Sequence, residues 1–269
     1  MNIKISIAEI IISFEFSYRP FEKEFKKILK KFIVKTDKSD INIKLIRTKS
    51  YKIINNDISY FKKDIINDEI ATLLKWDING ELNLNLNTGI FHVYRKKPDF
   101  LTILKFILLN FIPQFNALLL HSSSIAINNN FAVVGSGISG SGKSTFAKKL
   151  ESEGGIIIHD EITLVRKVNN SFYVYPTPFN YNPKHIVNFL EPQKLKSIFF
   201  LKQSKDKYIK DISLKNFYKE IFKVIFSNKK MKTKNYELVI NIIEDLYNDV
   251  KIKELSFDLS KKIIETLNT

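Results

Sequence analysis

Residues 131–150 read FAVVGSGISGSGKSTFAKKL. Within them Gly137-Ile138-Ser139-Gly140-Ser141-Gly142-Lys143-Ser144 fits the pattern G-x-x-x-x-G-K-[ST], with the apolar run 131–134 before it and an amphipathic helical pattern after it. No other feature of the chain restricts its fold as strongly. Glycines allow positive φ and close backbone approach, so successive N–H groups can turn inward on an anion. The N-terminus of the following helix adds partial positive charge. Lys143 is placed to reach the β- and γ-phosphates of a nucleotide, and Ser144 to offer its hydroxyl to Mg2+. The candidate nucleotide-binding residues are therefore Gly137, Ser139, Gly140, Ser141, Gly142, Lys143, Ser144 and Thr145.

The flanking sequence predicts the frame that holds this loop. ALLLHSSSIAI, FAVVGSG and GIIIHDEITLVRK are short apolar runs bounded by glycine or polar turns, as buried strands are. KSTFAKKLESEG, between two of them, predicts a helix that ends at Gly154-Gly155. Strand, glycine loop, helix, strand is a βαβ-type unit of an α/β core. Asp160-Glu161 closes the apolar run 155–158, on the strand expected beside the loop strand. A carboxylate there lies near the phosphate end of a nucleotide, where it can help hold Mg2+ or accept the proton of an attacking hydroxyl. A solvated acid pair at a strand end is the plain alternative. His121 ends the apolar run 117–120. A neutral imidazole there can orient a carboxylate or contact phosphate or metal, although a histidine after an apolar run is more often a satisfied core residue. His159 alternates with Asp160, so on a strand the two side chains point to opposite faces.

Elsewhere the texture is mixed. Strand-like runs cover 3–16, 41–47 and 81–94, the last preceded by an Asn79-Gly80 turn signal. FEKEFKKILKKF has apolar residues at helical spacing with lysines on the other face, and Pro98 opens a helix through Phe111. Downstream, LKSIFFLKQS predicts a strand, SLKNFYKEIFKVIFS and YELVINIIEDLYNDV predict helices, and KIKELSFDLS predicts a last strand before a short C-terminal helix. The division that follows is an α+β N-terminal region, 1–115, and an α/β domain carrying the loop, 116–269. The N-terminal region shows no chemistry of its own.

Composition removes several function classes. With 44% hydrophobic residues and 22 Phe, the chain has a core's worth of apolar content, which excludes disorder as its main state. The absence of Cys excludes a disulfide scaffold, a thiol nucleophile and a thiolate metal site. Four His (His92, His121, His159, His185) argue against a His-rich metal cage. The net charge of +15 comes from scattered lysines in a Lys-, Asn- and Ile-rich chain. Charge spread in this way supports only non-specific association, so no specific nucleic-acid partner is expected. The N-terminus MNIKISIAEIIISFEF lacks a basic leader and a cleavage site and is interrupted by Glu9 and Glu15, unlike a signal peptide. Residues 100–120 are long enough to span a bilayer. Lys105 and Pro113-Gln114 would then sit deep in hydrocarbon, so a buried helix followed by a buried strand is expected instead. No membrane association and a cytoplasmic location are the default expectations.

The layout HSSSIAI, FAVVGSGISGSGKSTFAKKL, IIIHDEITLV and SFYVYPTPF resembles the HPr kinase/phosphorylase group and its smaller relatives, within the phosphoenolpyruvate carboxykinase-like fold. His121, Gly142-Lys143-Ser144, Asp160-Glu161 and Thr177-Pro178-Phe179 match that group's order. The resemblance is specific over 121–179, extends plausibly to the C-terminus and is thin before residue 100. It implies a P-loop core with a mixed sheet, ATP and Mg2+ as cofactors, and phosphoryl transfer to a serine hydroxyl of a protein or peptide. Asp160 becomes the candidate general base, with Lys143 and His121 as the other catalytic candidates. Ser144, Asp160 and Glu161 become the candidate metal-holding set. The group carries Asp-Asp where this chain has Asp160-Glu161, which leaves the division of labour between the two acids open. The glycine- and arginine-containing signature of the bifunctional enzymes has no counterpart after Phe179, which leaves the phosphorylase activity and HPr itself as substrate without support. Full bifunctional members are hexamers, which makes a homo-oligomer one option and leaves the oligomeric state open. Small relatives of this kind tailor ribosomal peptides, which makes a peptide hydroxyl a reasonable acceptor.

Other readings compete. A non-catalytic nucleotide-binding regulatory module would bind nucleotide and yield no phospho-product, and a small-molecule kinase would differ only in its acceptor. A transport-type or mechanical ATPase is disfavoured by the absence of an LSGGQ-like segment.

Overall fold

The computed structural model describes residues 2–49, 62–67, 69–75, 77–128, 130–179, 191–226, 233–258, 260 and 262–264. It is a mixed α/β structure with two mixed sheets. The chain divides into two compact units, Met1–Phe115 with Asn228–Glu237, and Asn116–Ser227 with Leu238–Thr269.

The first unit begins with β1 (Asn2–Ile7) and β2 (Ile10–Phe16), then α1 (Arg19–Leu29), β3 (Ile33–Val34) and β4 (Ile41–Arg47). The strands β5 (Lys62–Asn67), β6 (Ile70–Lys75), β7 (Ile78–Asn83) and β8 (Thr88–Val93) follow, and α2 (Phe100–Phe111) ends the series. The sheet order is β3-β1-β2-β4-β8-β7-β6-β5, with β2, β4 and β8 parallel neighbours. Its core is aromatic. Phe14 and Phe16 of β2 pack on Phe25 of α1, with ring centroids 4.7 and 5.1 Å apart, and Phe100 of α2 meets Phe25 at 5.3 Å. Burying a side chain of this size contributes roughly 1.5–3 kcal/mol relative to leaving it exposed.

Two turns fall where the sequence pattern did not place them. The run 3–16 is a hairpin, because Ala8 and Glu9 take left-handed φ values of 52° and 61° and reverse the chain. Neither is a turn-forming residue type, so the reversal has no local signature. Asn79-Gly80, the expected turn, lies inside β7. A Cβ on Gly80 would stand 2.1 Å from Cδ1 of Phe91, so this glycine makes room for a ring across the sheet rather than turning the chain. The turn comes later, where Asn83 Oδ1 accepts the N–H groups of Asn85 and Leu86 and Asn87 adopts φ 52°.

The second unit runs β9 (Ala117–Ile127), β10 (Phe131–Ser136), α3 (Lys143–Ser152), β11 (Ile156–His159), β12 (Ile162–Val168) and β13 (Ser171–Tyr175). It continues with β14 (Gln193–Leu201), β15 (Tyr208–Asp211), α4 (Leu214–Val224), the part of α5 (Thr233–Asp249) from Leu238 onward and β16 (Lys251–Ser256). The expected short C-terminal helix falls largely outside the described residues. Residues 100–120, the membrane suspect, fold as α2, a 3-10 turn and the start of β9. Among the described residues no helix is long and apolar enough to cross a membrane.

β9 is the spine of this unit. On one edge it pairs with β10 from Ser122 to Ile127. On the other it pairs with β12 from Ala117 to His121 and with β11 beyond. The strand–loop–helix–strand order is as expected, but β10 and β11 are not neighbours, because β9 lies between them. GIIIHDEITLVRK is likewise two strands, broken at Asp160-Glu161. β14 runs parallel to β10 and to β16. Successive residues of β14 point to opposite faces of the sheet. Phe199 accordingly meets Phe146 of α3, and Phe200 meets Phe217 of α4. The sheet thus carries α3 on one face and α4 on the other.

Candidate functional site

The register of β9 sets the site. Ser136, the last residue of β10, stands opposite Ser122, and Ile162, the first residue of β12, stands opposite His121. The loop leaves one neighbour of β9 and the acid pair precedes the other, at the same level. With strands about 4.8 Å apart, the loop strand and the acid strand lie roughly 10 Å from each other, with β9 between. The N–H of Ser122 donates to the carbonyl of Glu161 at 3.1 Å and holds the acid turn at this level.

From Ser136 the loop winds into α3. Gly140 and Gly142 take φ values of 79° and 98°, which side-chain-bearing residues adopt only with strain, and Gly142 caps the helix. The first helical hydrogen bond runs from the N–H of Phe146 to the carbonyl of Gly142, 2.8 Å. Two side chains absent from the sequence-based set brace the loop. The Ser123 hydroxyl lies 3.3 Å from the Gly135 carbonyl and 3.2 Å from that of Lys143, beneath the loop. Gln203, just past β14, donates Nε2–H to the Gly140 carbonyl at 2.8 Å. Neither has a local signal. Each becomes a neighbour of the loop only through strand pairing.

A cavity of about 540 Å3 opens over this arrangement, lined by His121, Ser139, Gly140, Gly142, Lys143, Ser144, Thr145, Asp160, Glu161 and Gln203. Nine of the eleven expected site residues meet there, while Gly137 and Ser141 line an adjoining cavity. Lys143 is 9% exposed. Its ammonium donates to the carbonyls of Gly137 and Ile138, both at 2.9 Å. Burial pushes the Lys143 pKa down, and the charge of Glu161 opposes part of that shift. The cation is thus desolvated and close to the acid pair, a setting that an added phosphate would relieve.

Asp160 presents the opposite imbalance. Its Oδ1 is buried and has no hydrogen-bond partner among the described residues. A buried acceptor without a donor costs about 1–3 kcal/mol. An oxygen of this kind fits a ligand hydroxyl or a cation supplied from outside the chain. Ser144, Asp160 and Glu161 offer one hydroxyl and two carboxylates, hard oxygen donors of the kind Mg2+ takes alongside phosphate oxygens. Among the described residues no group of three or more His, Asp or Glu is disposed to hold a metal by itself.

His121 is half-buried, and its ring stands edge-on to Phe226 with centroids 5.7 Å apart. Phe226 is held there by its N–H bond to the Leu119 carbonyl, 2.8 Å. His159 is a core residue, fully buried, with Nε2 2.7 Å from the Tyr175 carbonyl. Thr177-Pro178-Phe179 is buried, with the Phe179 N–H bonded to the Thr177 hydroxyl at 3.4 Å, and it does not line the cavity.

A scan against protein-family models finds no match, and no curated protein matches. Among solved structures the Hpr(Ser) kinase/phosphatase from Coxiella burnetii is similar, with a TM-score of 0.26 and 14% sequence identity over 46% of this chain and 94% of that one.

Proposed function

We propose that this chain is an ATP- and Mg2+-dependent kinase that transfers the γ-phosphoryl group to a hydroxyl, a serine of a protein or peptide. It would do so on a phosphoenolpyruvate carboxykinase-like P-loop core spanning residues 116–269, preceded by an α+β region, 1–115. The observation that carries the reading is the pairing, in one cavity, of a glycine-rich loop and buried Lys143 with an Asp160 oxygen that lacks a donor among the described residues. About 540 Å3 lies within the range of small-molecule sites, roughly 300–1,000 Å3.

Phosphoryl transfer leaves the protein little covalent work, so positioning and charge neutralisation dominate. The loop N–H groups and the N-terminus of α3 hold the phosphates. Lys143, already desolvated, neutralises charge on the terminal pair. Ser144 and the acid pair would hold Mg2+, whose contribution when bound is to neutralise the transferring group. The acceptor oxygen forms its bond to the γ-phosphorus as the bond from that phosphorus to the β–γ bridging oxygen breaks. The acceptor proton passes to Asp160, and ADP leaves with the electron pair. His121, on the strand between loop and acid pair, is the candidate to orient Asp160.

The test is incubation with γ-labelled ATP, Mg2+ and a panel of serine peptides. Labelled peptide that disappears with Lys143→Ala supports the reading. Undiminished transfer by that variant refutes it. Nucleotide binding without any phospho-product across the panel would favour a regulatory nucleotide-binding module instead.

A further inference from the structure

Behind the tip of the phosphate loop lies a second cavity of about 280 Å3. It shares Ser139, Gly140 and Gln203 with the first, so the two adjoin across the loop. Its position relative to a nucleotide follows from Lys143. In loops of this pattern the lysine ammonium belongs to the β- and γ-phosphates. Here that ammonium sits on the carbonyls of Gly137 and Ile138, and both residues line the second cavity. On the kinase reading the acceptor hydroxyl meets Asp160 in the first cavity, so a residue beside it would reach the second cavity across the shared wall of Ser139, Gly140 and Gln203.

The lining chemistry selects the occupant. Lys202, at the end of β14, and Lys223, on α4, converge on Glu220 at 2.9 and 3.0 Å. Burial works to raise the Glu220 pKa, but the two ammonium groups hold it below its ordinary range, so the carboxylate stays ionised at neutral pH. Two cations against one anion leave a surplus of positive charge. Leu201 and Ile138, the latter 59% exposed, supply apolar wall for a short methylene stem. Among the described residues no aromatic side chain lines the cavity, which speaks against a nucleobase.

We propose that this second cavity is a specificity site for the acceptor, taking the carboxylate of an acidic side chain that neighbours the phosphorylated serine. The proposal rests on the kinase reading above and names its substrate class: a serine flanked by Asp or Glu. Lys202 and Lys223 bind the carboxylate, and Gln203 couples the occupied cavity to the loop through its bond to Gly140.

Three fluorescein-labelled peptides test this, identical except for Glu, Ala or Lys on both sides of a central serine. Binding is read by fluorescence polarisation and transfer by γ-labelled ATP, for the wild-type chain and for Lys223→Glu. Lys223 is half-exposed, so the reversal should fold, and a melting curve checks that it does. The expected result is at least tenfold tighter binding of the Glu peptide than the Lys peptide by the wild type, with the order inverted in Lys223→Glu. Equal binding of the three peptides, or an order that Lys223→Glu leaves unchanged, overturns the proposal. Inversion of binding without transfer to any peptide would keep the charge preference and refute the kinase reading. Equal transfer to all three peptides would keep the kinase reading and refute the cavity's role.

Discussion

Asp160→Asn separates the chemistry of the site from its scaffold. The buried Oδ1 has no hydrogen-bond partner among the described residues, so the oxygen is held there at a cost of about 1–3 kcal/mol. A neutral amide of the same shape carries a smaller desolvation penalty. We expect the variant to be as stable as the wild type or more so. A gain of about 1 kcal/mol would appear as a rise of roughly 2–4 °C in melting temperature for a unit of this size. Loss of a general base removes about 100- to 10,000-fold in kcat, or roughly 3–5 kcal/mol of transition-state stabilisation. The loop, Lys143 and the Gly140 brace are untouched, so the nucleotide Kd measured without Mg2+ should change by less than about threefold. The assays are steady-state transfer from γ-labelled ATP, nucleotide titration calorimetry and a thermal melt. A kcat within threefold of wild type would refute the assignment of Asp160 as base. A joint fall in kcat, nucleotide affinity and melting temperature would make Asp160 a metal-holding or structural residue instead.

Three further perturbations probe other parts of the structure. Lys143→Ala should abolish ATP turnover and weaken nucleotide binding at least tenfold by calorimetry, because it removes the buried cation at Gly137 and Ile138. Glu153 accepts the N–H groups of Ile263 and Ile264 at 2.9 and 2.7 Å and Lys149 at 3.1 Å. Burial works to raise its pKa, but those donors together hold it below the ordinary 4.5. A depressed carboxylate contributes stability that is complete above its unfolded pKa and is lost as pH falls through the lower folded one. Hydrogen exchange at Ile263 and Ile264, normalised to intrinsic rates, should thus show protection at pH 7 that fades below about pH 4.5. Gly80→Ala should destabilise the first unit by about 1–3 kcal/mol in urea melts, since Phe91 is fully buried and cannot swing away from the new methyl. A stabilised variant would show that strand propensity, not this close approach, governs the position.

Features whose physics is confined to one short segment could be read from the chain. The loop declares itself because glycine spacing, lysine and the flanking apolar run all lie within residues 131–150. α1 does so because Phe21, Phe25 and Leu29 repeat at the helical period on a lysine-rich background. The β1–β2 hairpin was not legible, since Ala8 and Glu9 carry no turn preference and are driven into left-handed φ by the pairing of Ile3, Ile5 and Ile7 with β2. Asn79-Gly80 misled for the converse reason. The glycine answers to a ring eleven residues away, and a local rule assigns it to a turn. At the candidate site the motif residues were legible, but Ser123 and Gln203 were not.

That difference follows from how the cavity is built. The loop, His121 and the acid pair belong to β10, β9 and the β11–β12 turn, three segments whose sequence order does not match their order in the sheet. What brings them to one level is the register of β9, a strand buried almost throughout. A slip of one residue would turn His121 and the Ser123 hydroxyl to the opposite faces and break the brace between Ser123 and the first residue of α3. The buried strand from Ala117 to Ile127, apolar at both ends with His121 and three serines between, is therefore what gives the loop of residues 137–144 a carboxylate to face. Substitutions there that preserve hydrophobicity but alter strand pairing should impair the cavity more than surface changes much closer to it.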